Sequence, residues 1–179
     1  QMNLYGFADG DPVNFSDPFG LCAVRPCPSK PLAALIDRTD GAGSFHSPRP
    51  WRGPGAEHHA HDYVTPLFSM VNAVDAGRIH LTCDAANEGE GKNGPCKEGG
   101  NSLQIVHANG TTSTYRHLTR HMLVSEGQEV EAGQLVGFTG NTGNVVECGC
   151  EKHLHVEKRT KSNSAHPGGV LVDPADDIQ

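Results

Sequence analysis

The chain has 179 residues, enough for one domain with a core of its own and a short appendage. Its formal net charge is −7, from 14 basic and 21 acidic residues, which is the wrong sign for a protein that lives on phosphate contacts. No run nears the roughly 18 apolar residues of a membrane span, so neither a nucleic acid nor insertion into a membrane is expected.

Residues 1–21, "QMNLYGFADGDPVNFSDPFGL", carry neither a basic n-region nor an apolar h-region and so are not a signal peptide. They lack a starting Met, and the chain is read as a piece of something longer. Residues 22–57 are rich in Pro, Gly and Ser, as in "HSPRPWRGPG", and read as an irregular leader anchored by Trp51. Within the leader only "PLAALIDRT" has the composition of a short helix.

The pattern changes from about residue 58. "LFSMVNAV" and "GRIHLTC" read as strands around an Asp75-Ala76-Gly77 turn. "SLQIVHANGTTSTYRHL" reads as a hairpin turned at Asn109-Gly110. "EGQEVEAGQLVGFTGNTG" breaks into short β segments at regular glycines, "KHLHVEKRT" is a further strand, and "GVLVDPADDI" closes the chain. Many short strands with 22 Gly and 12 Pro predict an all-β fold, a mainly antiparallel sandwich or rolled sheet with long loops and at most a short N-terminal helix.

The six cysteines point to an oxidising, extracytoplasmic setting. Cys83 and Cys96 bracket "DAANEGEGKNGP", a long loop that a bridge would staple at its base. Cys148 and Cys150 are too close for an easy internal bridge, which leaves Cys22 and Cys27, or a metal, as their partners.

Four pieces carry chemistry: "HHAHD" (58–62), "YRHL" (115–118), "GNTGN" (140–144) and "HLH" (153–155). Residues i and i+2 of a strand share a face, so His153 and His155 point into one space while Leu154 and Val156 face a core. A catalytic zinc takes three protein ligands and keeps one open position. His58, Asp62 and one of the "HLH" pair supply such a set. There is no H-E-x-x-H, so a spare histidine rather than a helical glutamate must take the proton of the attacking water.

The order and spacing of these pieces over about residues 55–176 resemble the lysostaphin-type zinc endopeptidases, which cut peptide bonds in bacterial peptidoglycan. Also matching are "VSEGQEVEAGQLVGFTGNTGN" and the ending Val172-Asp173-Pro174. The resemblance implies a zinc endopeptidase domain over 58–179. Its metal ligands would be His58, Asp62 and His155, with His117 and His153 as catalytic residues. Asn141 and Thr142 are expected at the substrate cleft, and Tyr115 is read as packing, with its hydroxyl near that cleft. Departures are Ala60 and His61 in place of a glycine and an apolar residue, which make His59 and His61 rival ligands. The stretch around Cys148 and Cys150 is also long, and is expected to rim the cleft. The remaining His46, His80, His107, His121 and His166 are read as structural or exposed.

Residues 1–21 resemble the segment that ends the core of Rhs-repeat polymorphic toxins, on Asn14 and Asp17-Pro18-Phe19-Gly20-Leu21. That resemblance implies cleavage after Leu21, with Asp11 and Asp17 in the autoproteolytic neighbourhood. It also implies an upstream Rhs core, delivery by a secretion system into a rival's periplasm or cell wall, and a cognate immunity protein. Two competing readings are a metal-dependent nuclease toxin and a non-catalytic cell-wall-binding relative.

Overall fold

The computed structural model of the protein describes residues 36–37, 43–49, 52–147, 151–162, 164–165 and 167–174. The Rhs-like segment, Trp51, His166, Cys22, Cys27, Cys148 and Cys150 lie outside the described residues.

Ten strands make up the described fold: β1 (Ile36–Asp37), β2 (His61–Val64), β3 (Met70–Asn72), β4 (Gly77–Cys83) and β5 (Asn101–Val106), then β6 (Thr112–Leu118), β7 (Glu129–Val130), β8 (Leu135–Phe138), β9 (His153–Arg159) and β10 (Leu171–Val172). Seven of them form an antiparallel sheet in the order β1-β2-β9-β6-β5-β4-β7, and β10 pairs with β9 beyond the end of β2. β3 and β8 form a separate two-stranded ribbon, so the strands either side of the Asp75-Ala76-Gly77 turn belong to different sheets. No α-helix occurs among the described residues, and the all-β expectation holds. "PLAALIDRT" corrects the helix expectation where it is described: Ile36 and Asp37 are extended and pair with Val64 and Tyr63. An edge of β2 was open there, and backbone pairing outweighs the weak helix propensity of so short a run.

Alternation puts one face of the sheet into the core. Tyr63, Leu103, Ile105, Tyr115, Leu154 and Val156 pack there with Val71 and Val136 of the ribbon. The β5–β6 hairpin turns through a three-residue loop: His107 N–H donates to Thr111 O, Gly110 N–H donates to His107 O, and Gly110 has φ +82°. This is the longer hairpin loop that requires a glycine at its last position.

Two features of this sheet bear on the opposite face. On β6 the pairing slips: Leu103 faces Tyr115 and Asn101 faces Leu118, so two residues of β6 answer one of β5. This bulge, at Arg116-His117, places His117 at φ +62°, a conformation uncommon outside glycine that re-aims the side chain. The second feature is Asn101, which is fully buried. Its Oδ1 accepts from Ala86 N–H (2.9 Å), its Nδ2 donates to Ala86 O (2.8 Å) and Leu118 O (3.3 Å), and its N–H donates to Thr142 Oγ1 (3.0 Å). It ties three segments together beside the Cys83–Cys96 disulfide, whose bridge staples the 84–95 loop as expected. Closing a loop of 13 residues contributes about 3 kcal/mol by restricting the unfolded chain.

Candidate active site

On β2 the side chains alternate, so Asp62 points away from the core while Tyr63 points into it. Asp62 pairs with His155 across the β2–β9 ladder, and His153 lies two residues from His155 on the same face. His58 precedes β2 by less than one helical turn's worth of chain and folds back over Asp62. The bulge in β6 brings in His117 from the other neighbour of β9, with ring centroids 5.1 Å from His153 and 5.8 Å from His155.

Three donor atoms form a triangle: His155 Nδ1 to Asp62 Oδ1 is 2.8 Å, His58 Nε2 to Asp62 Oδ1 is 3.3 Å, and His58 Nε2 to His155 Nδ1 is 3.3 Å. A tetrahedral zinc with bonds near 2.0 Å has edges of about 3.3 Å, so the residues fit the ion. All ligand atoms of this group lie within 4.8 Å of one another, and the same is true of His117, His153 and His155.

The outward nitrogen of each ring has a fixed acceptor. His58 Nδ1 donates to Ser44 O (3.2 Å), His155 Nε2 to Glu157 Oε1 (3.4 Å), His117 Nδ1 to Thr142 O (2.8 Å) and His153 Nδ1 to Glu151 O (2.8 Å). A carbonyl or carboxylate can only accept, so each tautomer is set and the inward nitrogens present lone pairs. Glu157 is in turn held by Arg116 Nε at 2.8 Å.

The electrostatics follow from this arrangement. Burial works to raise the Asp62 carboxyl, but in the metal-free site a second hydrogen on the facing rings, His155 before His58, lets them donate to it and hold the group well below the usual carboxylate range. Burial works to lower the His155 imidazole, and the hydrogen bonds to Asp62 and Glu157 outweigh it and raise it. Burial also opposes ionisation of Glu157, yet its hydrogen bond with His155 and the charge of Arg116 bring it down to about 2. His117 is lowered to about 3, chiefly by burial and then by the neighbouring His155 and His153. A base whose folded value lies below its unfolded one binds fewer protons when folded, so it costs stability as pH falls from about 6.5 towards 3. In metal-free protein, urea unfolding at several pH values in that window is expected to show this slope, up to about 1.4 kcal/mol per pH unit from this group, and His117→Gln to flatten it.

The rival histidines are placed elsewhere. His59 is exposed. His61 points to the opposite face from Asp62, stacked on Tyr63 at 4.8 Å and 3.8 Å from Asp173. His107 is buried, bonded to Ala76 O and Ser113 Oγ, while His46, His80 and His121 are exposed. Two cleft expectations need correction. Tyr115 is wholly enclosed in the core, its hydroxyl accepting from Val74 N–H at 2.9 Å, and cannot touch a substrate. Burial raises its phenol further above the usual range. Thr142 is also fully buried: its hydroxyl donates to Leu118 O and its carbonyl holds His117. Asn141 stays partly exposed, its N–H donating to Glu88 Oε2. Arg49, whose Nη2 donates to Asp62 Oδ2 at 3.4 Å, was not singled out in the sequence, nor were Glu157 and Asn101. Glu157 carries a signal, because it lies two residues beyond His155 on the same face of the strand.

This antiparallel β domain thus gathers one carboxylate and two imidazoles around one point, with two further imidazoles alongside, a set that could hold a metal ion. The chain belongs to Peptidase family M23, which residues 56–167 match. It is 33% identical over 102 residues to peptidoglycan DD-endopeptidase ShyA of Vibrio cholerae, covering 57% of this chain and 20% of that protein. It is 28% identical over 123 residues to lysostaphin of Staphylococcus simulans, covering 68% of this chain and 22% of that protein. The chain thus spans about a fifth of the length of these relatives. Among solved structures, the catalytic domain of lysostaphin from Staphylococcus simulans superposes with a TM-score of 0.55 at 24% identity, over 75% of this chain and 88% of that one. That likeness establishes the fold.

Proposed function

We propose that the protein is a zinc-dependent endopeptidase that hydrolyses peptide bonds in bacterial peptidoglycan, in the stem or cross-bridge. The observation that carries this reading is the triangle of His58 Nε2, Asp62 Oδ1 and His155 Nδ1, with the outward nitrogens of both rings already held by acceptors. The names of the relatives, a peptidoglycan endopeptidase and lysostaphin, support the choice of substrate.

In this reading His58, Asp62 and His155 hold the ion. Bound there, zinc polarises the scissile carbonyl as a Lewis acid and brings the ionisation of water towards neutral pH. His117, kept neutral by burial, accepts a hydrogen bond at Nε2 and orients the attacking water. His153 takes the water's proton, and the Asp62 oxygen 3.6 Å from its Nε2 favours the resulting imidazolium. The same proton then passes from His153 to the leaving amine, so no further acid is required. Neither inward nitrogen can donate before it has gained a proton, because each outward nitrogen already carries the ring's hydrogen. Oxyanion contact by His117 from the outset is therefore not part of the scheme.

The setting is a further part of the proposal. Asp17-Pro18-Phe19-Gly20-Leu21 supports an Rhs-type antibacterial toxin acting in a rival's periplasm or wall, with a cognate immunity protein in the producer. The family match begins at residue 56 and leaves that stretch outside it.

Mass spectrometry of purified peptidoglycan, digested with the protein in the presence and absence of chelator, tests the activity. Fragments cut within the peptide, lost with chelator and regained with added zinc, are the expected result. Peptidoglycan left intact by zinc-loaded protein sinks the reading.

A further inference from the structure

β2 carries Asp62 and needs a partner on each edge. β9 fills one. The other is filled by the leader, which runs along it: Asp62 N–H donates to Gly43 O (2.8 Å), His58 N–H to Ser47 O (2.9 Å) and His46 N–H to His58 O (2.8 Å). Ser44 O is the acceptor that fixes the ring of His58. Two of the three residues in the triangle are therefore held, main chain and side chain, by a segment that precedes the matched region 56–167.

Arg49 extends this hold to the carboxylate. Its backbone is fixed by the Pro48–Glu57 bridge and by Arg49 N–H donating to Ala56 O at 2.7 Å. Its side chain is 14% exposed, and Nη2 reaches Oδ2 of Asp62, which is 5% exposed. The two oxygens of Asp62 are thereby divided. Oδ1 faces His155 at 2.8 Å, His58 at 3.3 Å and His153 at 3.6 Å, whereas Oδ2 faces the guanidinium. A carboxylate with both oxygens unoriented can swing between one-oxygen and two-oxygen attachment to a cation. One with its outer oxygen on an arginine presents a single, aimed ligand atom.

We propose that Arg49 is a positioning residue for the metal centre, acting through Asp62, and that residues 43–49 are a working part of that centre. The proposal rests on the metal role given to Asp62 above. A charge beside the carboxylate also draws electron density from it, which would weaken the ligand. The orienting effect dominates, because a buried carboxylate stripped of one partner must find another and turns away from the ion to do so.

The test uses the full chain, with zinc affinity read by competition against a chromogenic chelator and the visible absorption of the cobalt-loaded protein as a second signal. Arg49→Met keeps the apolar stem and removes the charge, and is expected to weaken zinc binding about 10–100-fold and to alter the cobalt spectrum. Arg49→Lys is expected to recover most of that affinity. If Arg49 served packing alone, the Met variant would match wild type. Zinc binding by Arg49→Met within twofold of wild type, with an unchanged cobalt spectrum, overturns the proposal. Should the Met variant show no cooperative unfolding transition, Arg49→Gln is read against the same two criteria. Wild-type protein that takes up no zinc overturns the metal reading itself, and this proposal with it.

Discussion

Replacing His155 with alanine is expected to abolish zinc retention and, with it, all peptidoglycan hydrolysis. The substitution removes one corner of the triangle and leaves Asp62 facing His58, Arg49 and His153 without the partner at 2.8 Å. Two ligands in place of three hold zinc poorly, and affinity is expected to fall by about 10³-fold or more, beyond the 10–100-fold typical when only an outer partner is lost. Asp62→Asn tests a second corner more gently, since it keeps shape and removes charge. Zinc content after dialysis, measured by atomic absorption, checks both. Retention of one equivalent of zinc by the His155→Ala protein would remove that residue from the ligand set.

His117→Ala should separate binding from turnover. Its Nε2 faces the site while Nδ1 is held by Thr142, and it is not in the triangle, so zinc content should stay at one equivalent. Turnover is expected to drop about 10²–10⁴-fold, the usual range for losing a residue that handles the reacting water's proton or orientation. The substitution gives up the ring's bond to Thr142 O but keeps the backbone bond from Gly140 N–H to His117 O that ties down the bulge, and thermal unfolding of the same sample is read beside turnover. Steady-state hydrolysis of a short cross-bridge peptide, beside metal analysis of the same sample, gives the split directly. Full activity in this variant would remove His117 from the mechanism.

Much of this centre is legible in the sequence, and the reason is periodicity. A strand repeats every two residues, so "HLH" alone placed both imidazoles on one face and Leu154 on the other, and β9 does this. The same rule does not carry through β6. Read as a regular strand, "YRHL" sets Tyr115 and His117 on one face, but the extra residue in β6 sends Tyr115 to the core and His117 to the site. A bulge is set by pairing with a partner strand and leaves no mark in local composition. Arg49 was illegible for a related reason. It lies 13 residues from Asp62 in a stretch whose course depends on an edge of β2 being open, and nothing in "HSPRPWRGPG" records that edge. The leader's short strand at Ile36–Asp37 was hidden in the same way. Turn chemistry was more informative: Asn109-Gly110 gave the hairpin, though the loop is one residue longer than that dipeptide alone suggests.

Leu154 has an effect beyond filling space. It is fully buried between two imidazoles that face the other way, so the hydrophobic interior sets the tilt of the strand from which both rings project. The oily side of β9 thus works as a ruler for the polar side. Enlarging or shrinking residue 154 by one carbon would press on β9 from the core side, because a close-packed interior transmits a change of volume, while every polar side chain of the chain keeps its identity. The spacing of the two imidazoles on one side of the sheet therefore rests on packing behind it, by a residue with no exposed surface.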